Sequence, residues 1–260
     1  MDEFDILVTN DDGIDSPGLD ALCDALSAVG SVTVVAPAND QSAVGRAHSR
    51  SVTVREHDRG YVIDGTPADC TIAGLTALLP ETDLVVAGCN QGANLGAAVL
   101  GRSGTVSAVV EAAFFDVPGI AVSMYIPTEL YDQDKTDLPV AQYADAVGTA
   151  AYLAEYAFDA DVFETVDYLN VNAPVADLST GEMVITRPSH AYYMDATRDG
   201  GTIALENRIW ELMAGGSIPD ADGTDRRAVM ENRISVSPLV APHTTEHHEA
   251  LDALAEDYRR

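Results

Sequence analysis

The sequence predicts an α/β protein built on one open, doubly wound, mainly parallel sheet, and three observations carry that prediction. Short apolar runs rich in β-branched residues recur along the chain: ILV at 6–8, VTVV at 32–35, LVVA at 84–87, IAVSM at 120–124 and YLNVN at 168–172. Segments with helical spacing of apolar residues lie between them, so strand and helix alternate. Several of the runs are apolar throughout, as strands are when helices cover both faces of a parallel sheet.

The elements follow in order. Ile6–Val8 ends at Asn10–Gly13, a cluster of turn residues. Ser16 then supplies an N-cap and Pro17 a first helical residue, and Leu19, Leu22, Cys23 and Leu26 recur at helical spacing up to Gly30. VTVV completes a first βαβ unit. A strand at Tyr61–Ile63 precedes Thr66-Pro67, which opens a helix carrying Ile72, Leu75, Leu78 and Leu79. After LVVA and a glycine-rich loop, a helix is expected from Thr105 to Phe115, and a long one over 139–158. From about residue 180 the texture changes. MVITR and RISVS are separated by Gly, Asp and Pro, which suits β-hairpins or an extended arm, and 245–258 reads as a terminal amphipathic helix. The expected division is therefore a catalytic core over 1–180 and a hairpin, arm and helix over 181–260, the latter serving oligomerisation.

Composition narrows the class of partner. Asp and Glu number 42 against 14 Lys and Arg, a formal net charge of −28, and Lys135 is the one lysine. A field of that sign repels nucleic acid and anionic membranes, so neither is an expected partner. The carboxylates are spread along the chain instead of forming a block. That pattern fits a surface adapted to a salty cytoplasm, where salt screens self-repulsion. Cys23, Cys70 and Cys89 are odd in number and form no C-x-x-C pair, which argues against a disulfide framework or structural zinc. No signal-peptide pattern and no run of about 20 apolar residues is present, so a cytoplasmic location is expected. The six histidines are scattered and read as surface or packing residues, with His48 alone near a loop of interest.

In an open parallel sheet ligands bind beyond the carboxyl ends of the strands. The loops there are NDDG at 10–13, APANDQSAVG at 36–45, DGTPADC at 64–70 and GCNQGANLGAAVLGRSGTV at 88–106. Taken singly, each has a plain structural reading: Asp before Gly favours turns, Thr66 caps a helix, and S-G-T is a common helix start. Taken together they read differently. Asp11 and Asp12 are adjacent carboxylates at the end of a buried strand, and they repel unless a cation or a proton offsets them. A hard divalent metal does so, taking carboxylate, amide and hydroxyl oxygens, and Asp11, Asp12, Ser42 and Asn90 fall where the sheet converges its loops. The helix start at Ser103-Gly104-Thr105 offers unpaired N–H groups to a phosphate, with five glycines allowing close backbone approach. Metal plus phosphate cradle points to hydrolysis or transfer of a phosphate ester.

These stretches resemble the motifs of the SurE survival-protein family of metal-dependent 5′(3′)-nucleotidases. ILVTNDDGIDSPGL resembles its N-terminal signature, VVAPANDQSAVG its second motif, GTPADC its third, AGCNQGANLG with SGTVSA its fourth, and SVSPL a tail element. The resemblance implies a Rossmann-like core with a protruding hairpin, and a C-terminal arm exchanged in a homodimer or homotetramer. It implies one divalent ion per subunit, Mg or Mn, held by Asp11, Asp12, Ser42 and Asn90, with Asn94, Ser103, Gly104 and Thr105 lining the phosphate site. It implies nucleoside 5′- and 3′-monophosphates as substrates. The Gly104, Thr105 and Asn90 amides are expected to stabilise charge on the phosphoryl oxygens, and whether Asp11 or Asp12 acts instead as base or nucleophile is left open by the sequence. Arg102 departs from the aromatic or histidine expected before SGTV, and Cys89 and Gln91 also vary the usual loop. Two alternatives stand beside this reading. One is a phosphatase forming an aspartyl-phosphate, for which D-x-D instead of adjacent aspartates is expected; the other is a nucleotide-binding module without turnover.

Overall fold

Nine strands form the central sheet in the order β3-β4-β2-β1-β5-β6-β7-β11-β8. They are β1 (Asp5–Thr9), β2 (Ser31–Pro37), β3 (Val54–His57), β4 (Gly60–Ile63), β5 (Leu84–Asn90), β6 (Gly119–Tyr125), β7 (Tyr168–Pro174), β8 (Met183–Ile185) and β11 (Ile234–Leu239). A separate antiparallel pair, β9 (Met194–Asp199) and β10 (Thr202–Asn207), forms a hairpin. The helices are α1 (Pro17–Leu26), α2 (Pro67–Ala73), α3 (Ala97–Leu100), α4 (Gly104–Ala113), α5 (Ala144–Tyr156), α6 (Ile209–Ala214) and α7 (Asp225–Met230). The structure is a computed structural model that describes residues 4–127, 130, 138–241, 249, 250, 254 and 255.

From β4 to β7 every neighbouring pair is parallel, while β3 and β11 run antiparallel to β4 and β7. Period-2 alternation then splits the core into two layers. Ile6, Val8, Leu84, Val86, Ile120, Val122 and Leu169 pack with Leu19, Leu22 and Leu26 of α1 and Ala146, Val147 and Ala150 of α5. Leu7, Val35, Val85, Ala87 and Ala121 face the other way, onto Cys70 of α2 and Val106, Val109 and Val110 of α4. Each fully buried leucine contributes roughly 1.5–3 kcal/mol of hydrophobic stabilisation. With both faces covered, the strands carry apolar residues at most positions, as the sequence displays.

The expected doubly wound sheet is present, and the helix starts fall where their caps placed them. Ser16 accepts the Leu19 N–H ahead of Pro17, Thr66 forms a reciprocal capping box with Asp69 ahead of Pro67, and Ser103 accepts the Val106 N–H. Beyond residue 180 the hairpin expectation is met at β9–β10. MVITR and RISVS behave differently: they contribute β8 and β11, which pair with each other and extend the central sheet beside β7. The reason is burial, since Ile234 and Val236 join the α1–α5 layer of the core. The terminal helix expected over 245–258 lies outside the described residues except for Glu249, Ala250, Leu254 and Ala255.

Candidate metal and phosphate site

β1 delivers Asp11 and Asp12 to the carboxyl edge of the sheet, and the preceding residue shapes the turn that carries them. The Asn10 side chain donates to the Gly13 carbonyl (2.8 Å) and the Ser16 hydroxyl (2.7 Å), and accepts the Gly13 N–H (3.2 Å). Gly13 takes φ +99°, a region that disfavours side chains. The turn is thereby stitched to the start of α1 by a fully buried amide.

Asp11 is 3 % exposed. Its carboxylate receives the Thr105 hydroxyl at 2.7 Å, and the first residue of α4 packs against it: a Cβ at Gly104 would lie 2.7 Å from Asp11 Cβ and 2.8 Å from Oδ2. The N-terminus of α4 therefore abuts the first aspartate directly, which puts the positive end of a helix dipole against a carboxylate. Burial pushes the Asp11 carboxyl above its ordinary range; bonds from the Thr105 hydroxyl and from the Asp11 and Thr105 N–H groups oppose the shift, and the charge of Asp40 adds to it. Asp12 is half-buried, and its Oδ2 accepts the Gln91 N–H at 3.3 Å. Asn90, the last residue of β5, is half-buried and donates to the Gly92 carbonyl at 2.5 Å.

The second loop is tied to the first through its backbone, with Gln41 N–H on the Asp11 carbonyl (2.7 Å). Ser42 is exposed, and its amide and hydroxyl both donate to Asp40 Oδ1, at 2.7 and 2.6 Å. Thus Asp11, Gly104 and Thr105 are in direct contact, and Asp12 is bonded to the residue following Asn90. Ser42 is engaged with Asp40, a carboxylate the sequence reading did not single out. Asn94 is buried and serves as scaffold: its side-chain amide donates to Ser123 Oγ (2.9 Å) and reaches Thr105 Oγ1 (3.4 Å). Its N–H donates to Asn172 Oδ1 (2.8 Å), and its carbonyl accepts from Asn170 (3.0 Å) and Asn172 (3.1 Å). Ser103 is buried as the cap of α4 and positions the helix start.

Ser123, Asn170 and Asn172 were missed by sequence reading, although a signal existed. They interrupt strands that are otherwise apolar, and buried polar residues need partners. They also fall on the strand face opposite Val122 and Val171, the face that receives α4. DGTPADC does more than cap a helix, since Asp69 accepts the Ser49 N–H (2.7 Å) and hydroxyl (2.9 Å) and so anchors the stretch that follows the second loop. Arg102 is exposed and donates to the Tyr192 hydroxyl at 3.2 Å, while its carbonyl accepts the Gly45 N–H at 3.1 Å. His48 is exposed beside Ser49.

A doubly wound sheet that sets a buried carboxylate against a helix N-terminus at its carboxyl edge defines the class, an α/β protein of the open parallel-sheet type. Comparison with known proteins specifies the family. Residues 6–195 match the family described as survival protein SurE, and the chain belongs to it. It is 64 % identical over 260 residues to a Haloarcula marismortui protein called 5′-nucleotidase SurE, covering 99 % of this chain and 96 % of that one. A Halobacterium salinarum protein of the same name is 60 % identical, with 99 % of both chains covered. The crystal structure of the SurE protein from Aquifex aeolicus superposes with a TM-score of 0.74 at 29 % identity, covering 98 % of this chain and 99 % of that chain.

Proposed function

We propose that this chain is a metal-dependent phosphomonoesterase that hydrolyses nucleoside 5′-monophosphates, and 3′-monophosphates as well, to nucleoside and phosphate. The observation that carries the reading is the contact between the Asp11 carboxylate and the first turn of α4 at Gly104–Thr105. It sets a cation-seeking group and an anion-seeking group side by side. The relatives' name, 5′-nucleotidase, favours turnover over a binding module, and the adjacent aspartates do not make the D-x-D expected of the aspartyl-phosphate route.

The residues fit a divalent ion. Asp11 is a buried carboxylate whose pKa is raised by desolvation despite its hydrogen bonds, so a cation beside it would offset the cost of its charge. No group of three or more His, Cys, Asp or Glu suited to a metal occurs among the described residues. Two carboxylates completed by the Asn90 amide, the Ser42 hydroxyl and water make an all-oxygen set suited to one Mg or Mn per subunit. When bound, the ion supplies Lewis-acid stabilisation of the phosphoryl oxygens and a more acidic water.

The chain's own groups do the rest. The Gly104 N–H and the positive end of the α4 dipole bind and orient the phosphate, while the Thr105 N–H and hydroxyl are spent on Asp11. Thr105 holds Asp11 in one rotamer through its hydroxyl, and Asn94 and Ser103 fix the loop and the cap on either side. Asp12, the less buried aspartate, is the better candidate to accept a proton from an attacking water. Arg102, exposed immediately before the helix start and bonded to the Tyr192 hydroxyl, is a candidate contact for the rest of the nucleotide. Ile203 and Leu205, 59 % and 72 % exposed on β10, support a homodimer or homotetramer built through residues 181–260. The sources Haloarcula and Halobacterium support the reading of the −28 charge as salt adaptation in a cytoplasmic enzyme. No helix of the described residues is long and apolar enough to cross a membrane.

The test is phosphate release from a panel of nucleoside 5′- and 3′-monophosphates in molar KCl with Mn or Mg, with and without EDTA. Release abolished by EDTA and restored by metal is expected. A folded protein that releases no phosphate under any metal overturns the proposal.

A further inference from the structure

Outside the site, a buried carboxylate beside the buried Arg226–Asp220 ion pair ties together segments remote in sequence. Asp225 is fully buried at the start of α7, and its carboxylate accepts three backbone N–H groups: Gly96 at 2.6 Å on Oδ2, and Ser189 at 2.9 Å and Arg226 at 2.8 Å on Oδ1. Arg226, 2 % exposed, donates to Asp220 Oδ1 (3.1 Å), Ser189 Oγ (3.2 Å) and the Ala191 carbonyl (3.0 Å). Gly96 takes φ +85°, and a Cβ there would lie 2.1 Å from Arg226 Nη2. The Ala97 N–H bonds the Ser189 carbonyl at 2.8 Å. One glycine is therefore gripped from two sides, its amide by Asp225 and its Cα by the guanidinium of Arg226.

Gly96 occupies the middle of the loop that leaves β5 and ends at the α4 cap. Asn94, two residues before it, holds Thr105 and Ser123. After it, α3 leads to Ser103, whose N–H bonds the Val99 carbonyl at 3.1 Å. Both ends of this excursion belong to the phosphate site. We infer that Asp225, backed by Arg226, is a positioning residue for the phosphate-binding loop: it fixes Gly96 and thereby the approach of Asn94 and the Ser103–Thr105 helix start to the substrate phosphate. The inference rests on the phosphomonoesterase reading of that site.

A carboxylate is required because two oxygens must receive three N–H groups. The isosteric amide of Asp225→Asn has one oxygen. Directed at Ser189 and Arg226, it turns its NH₂ toward the Gly96 N–H, donor against donor, and pushes the loop away. Asp225→Asn and Gly96→Ala perturb the same grip from opposite sides, so either one tests the inference if the other fails to fold.

The measurement is binding of inorganic phosphate by calorimetry, alongside kcat and KM on the best nucleoside monophosphate, in molar KCl with Mn and corrected for the folded fraction by circular dichroism. Expected for either variant is a rise of about tenfold in the phosphate Kd, the loss of one or two charge-assisted bonds. A fall in kcat/KM on the order of 10²-fold accompanies it. A variant with a lowered Tm but unchanged constants per folded molecule overturns the inference, since a purely structural tie would behave that way. A wild type without turnover refutes the phosphomonoesterase reading alone, because the phosphate Kd ratio still decides the role of Asp225. A wild type that does not bind phosphate overturns both.

Discussion

Replacing Gly104 by alanine separates catalysis from folding with unusual clarity. Gly104 is the first residue of α4, where alanine is the better helix former by roughly 0.5–1 kcal/mol. Propensity alone predicts no loss of stability. The added methyl, however, would stand 2.7 Å from Asp11 Cβ and 2.8 Å from its Oδ2. Optimal carbon–carbon contact begins near 3.5 Å, so the helix end and the aspartate must part by about 0.8 Å. Asp11 hangs from the end of a central strand and α4 is buried along most of its length, so the separation falls on the 2.7 Å Thr105–Asp11 bond and on the phosphate position between them. Misplacement on this scale costs on the order of 10²-fold in rate, about 2.7 kcal/mol of transition-state stabilisation. The assay is kcat/KM for a nucleoside monophosphate with Mn in molar KCl, set beside thermal unfolding followed by circular dichroism. Activity within about threefold of wild type, in a variant with an unchanged Tm, would refute direct helix-to-aspartate packing as a catalytic requirement.

Thr105→Val keeps the shape and removes the hydroxyl that Asp11 accepts; leaving that partner unsatisfied is expected to cost about 1–3 kcal/mol of stability, read as a lower denaturation midpoint, together with a large loss of turnover. Asp11→Asn is expected to abolish EDTA-sensitive phosphate release while leaving metal-free stability equal or higher, because a buried charge is removed; a clear fall in the metal-free Tm would contradict that. The pH dependence has a definite sign. Asp11 titrates above its ordinary 3.8, so without metal its ionisation lowers stability as pH rises through that raised value. Metal binds the ionised form, so the Tm gain on adding Mn should grow with pH across the same window, and should be flat in Asp11→Asn. Asn10→Ala is expected to loosen the turn that aims both aspartates, raising the Mn concentration needed for half-maximal activity.

The sheet was legible because burial on both faces forces near-continuous apolar strands, and Ser16-Pro17, Thr66-Pro67 and Ser103 announce helix starts by chemistry that needs no tertiary context. Asp11, Gly104 and Thr105 were legible for a related reason: adjacent carboxylates at a strand end and a glycine at a helix start are costly choices that demand an explanation. What stayed hidden depends on contacts across long stretches of chain. Nothing local marks Asp225 as the acceptor for an amide 129 positions away. Asn170 and Asn172 sit in a run whose strand pattern is complete without their amides, so their role emerges only when β7 is set beside the loop after β5. MVITR and RISVS look like hairpin material because their alternation is local, whereas their place in the central sheet is fixed by pairing with β7.

The charge of the site explains why a protein at −28 can still act on a dianion. Asp11, Asp12 and Asp40 concentrate negative charge at the carboxyl edge of β1, and a phosphate approaching them alone is repelled. In the proposed site two features reverse the local sign: the positive N-terminus of α4 and the divalent ion assigned there to the carboxylates and neutral oxygens. Arg102 adds a third, a cation one residue before the cap of that helix and tied to Tyr192. If this balance governs substrate capture, Arg102→Ala should raise KM severalfold with little change in kcat, and more at low salt than in molar KCl, where screening has already weakened both the attraction and the surrounding repulsion. An equal effect on KM at both salt concentrations would assign Arg102 to packing against Tyr192 instead of to the field that draws the substrate in.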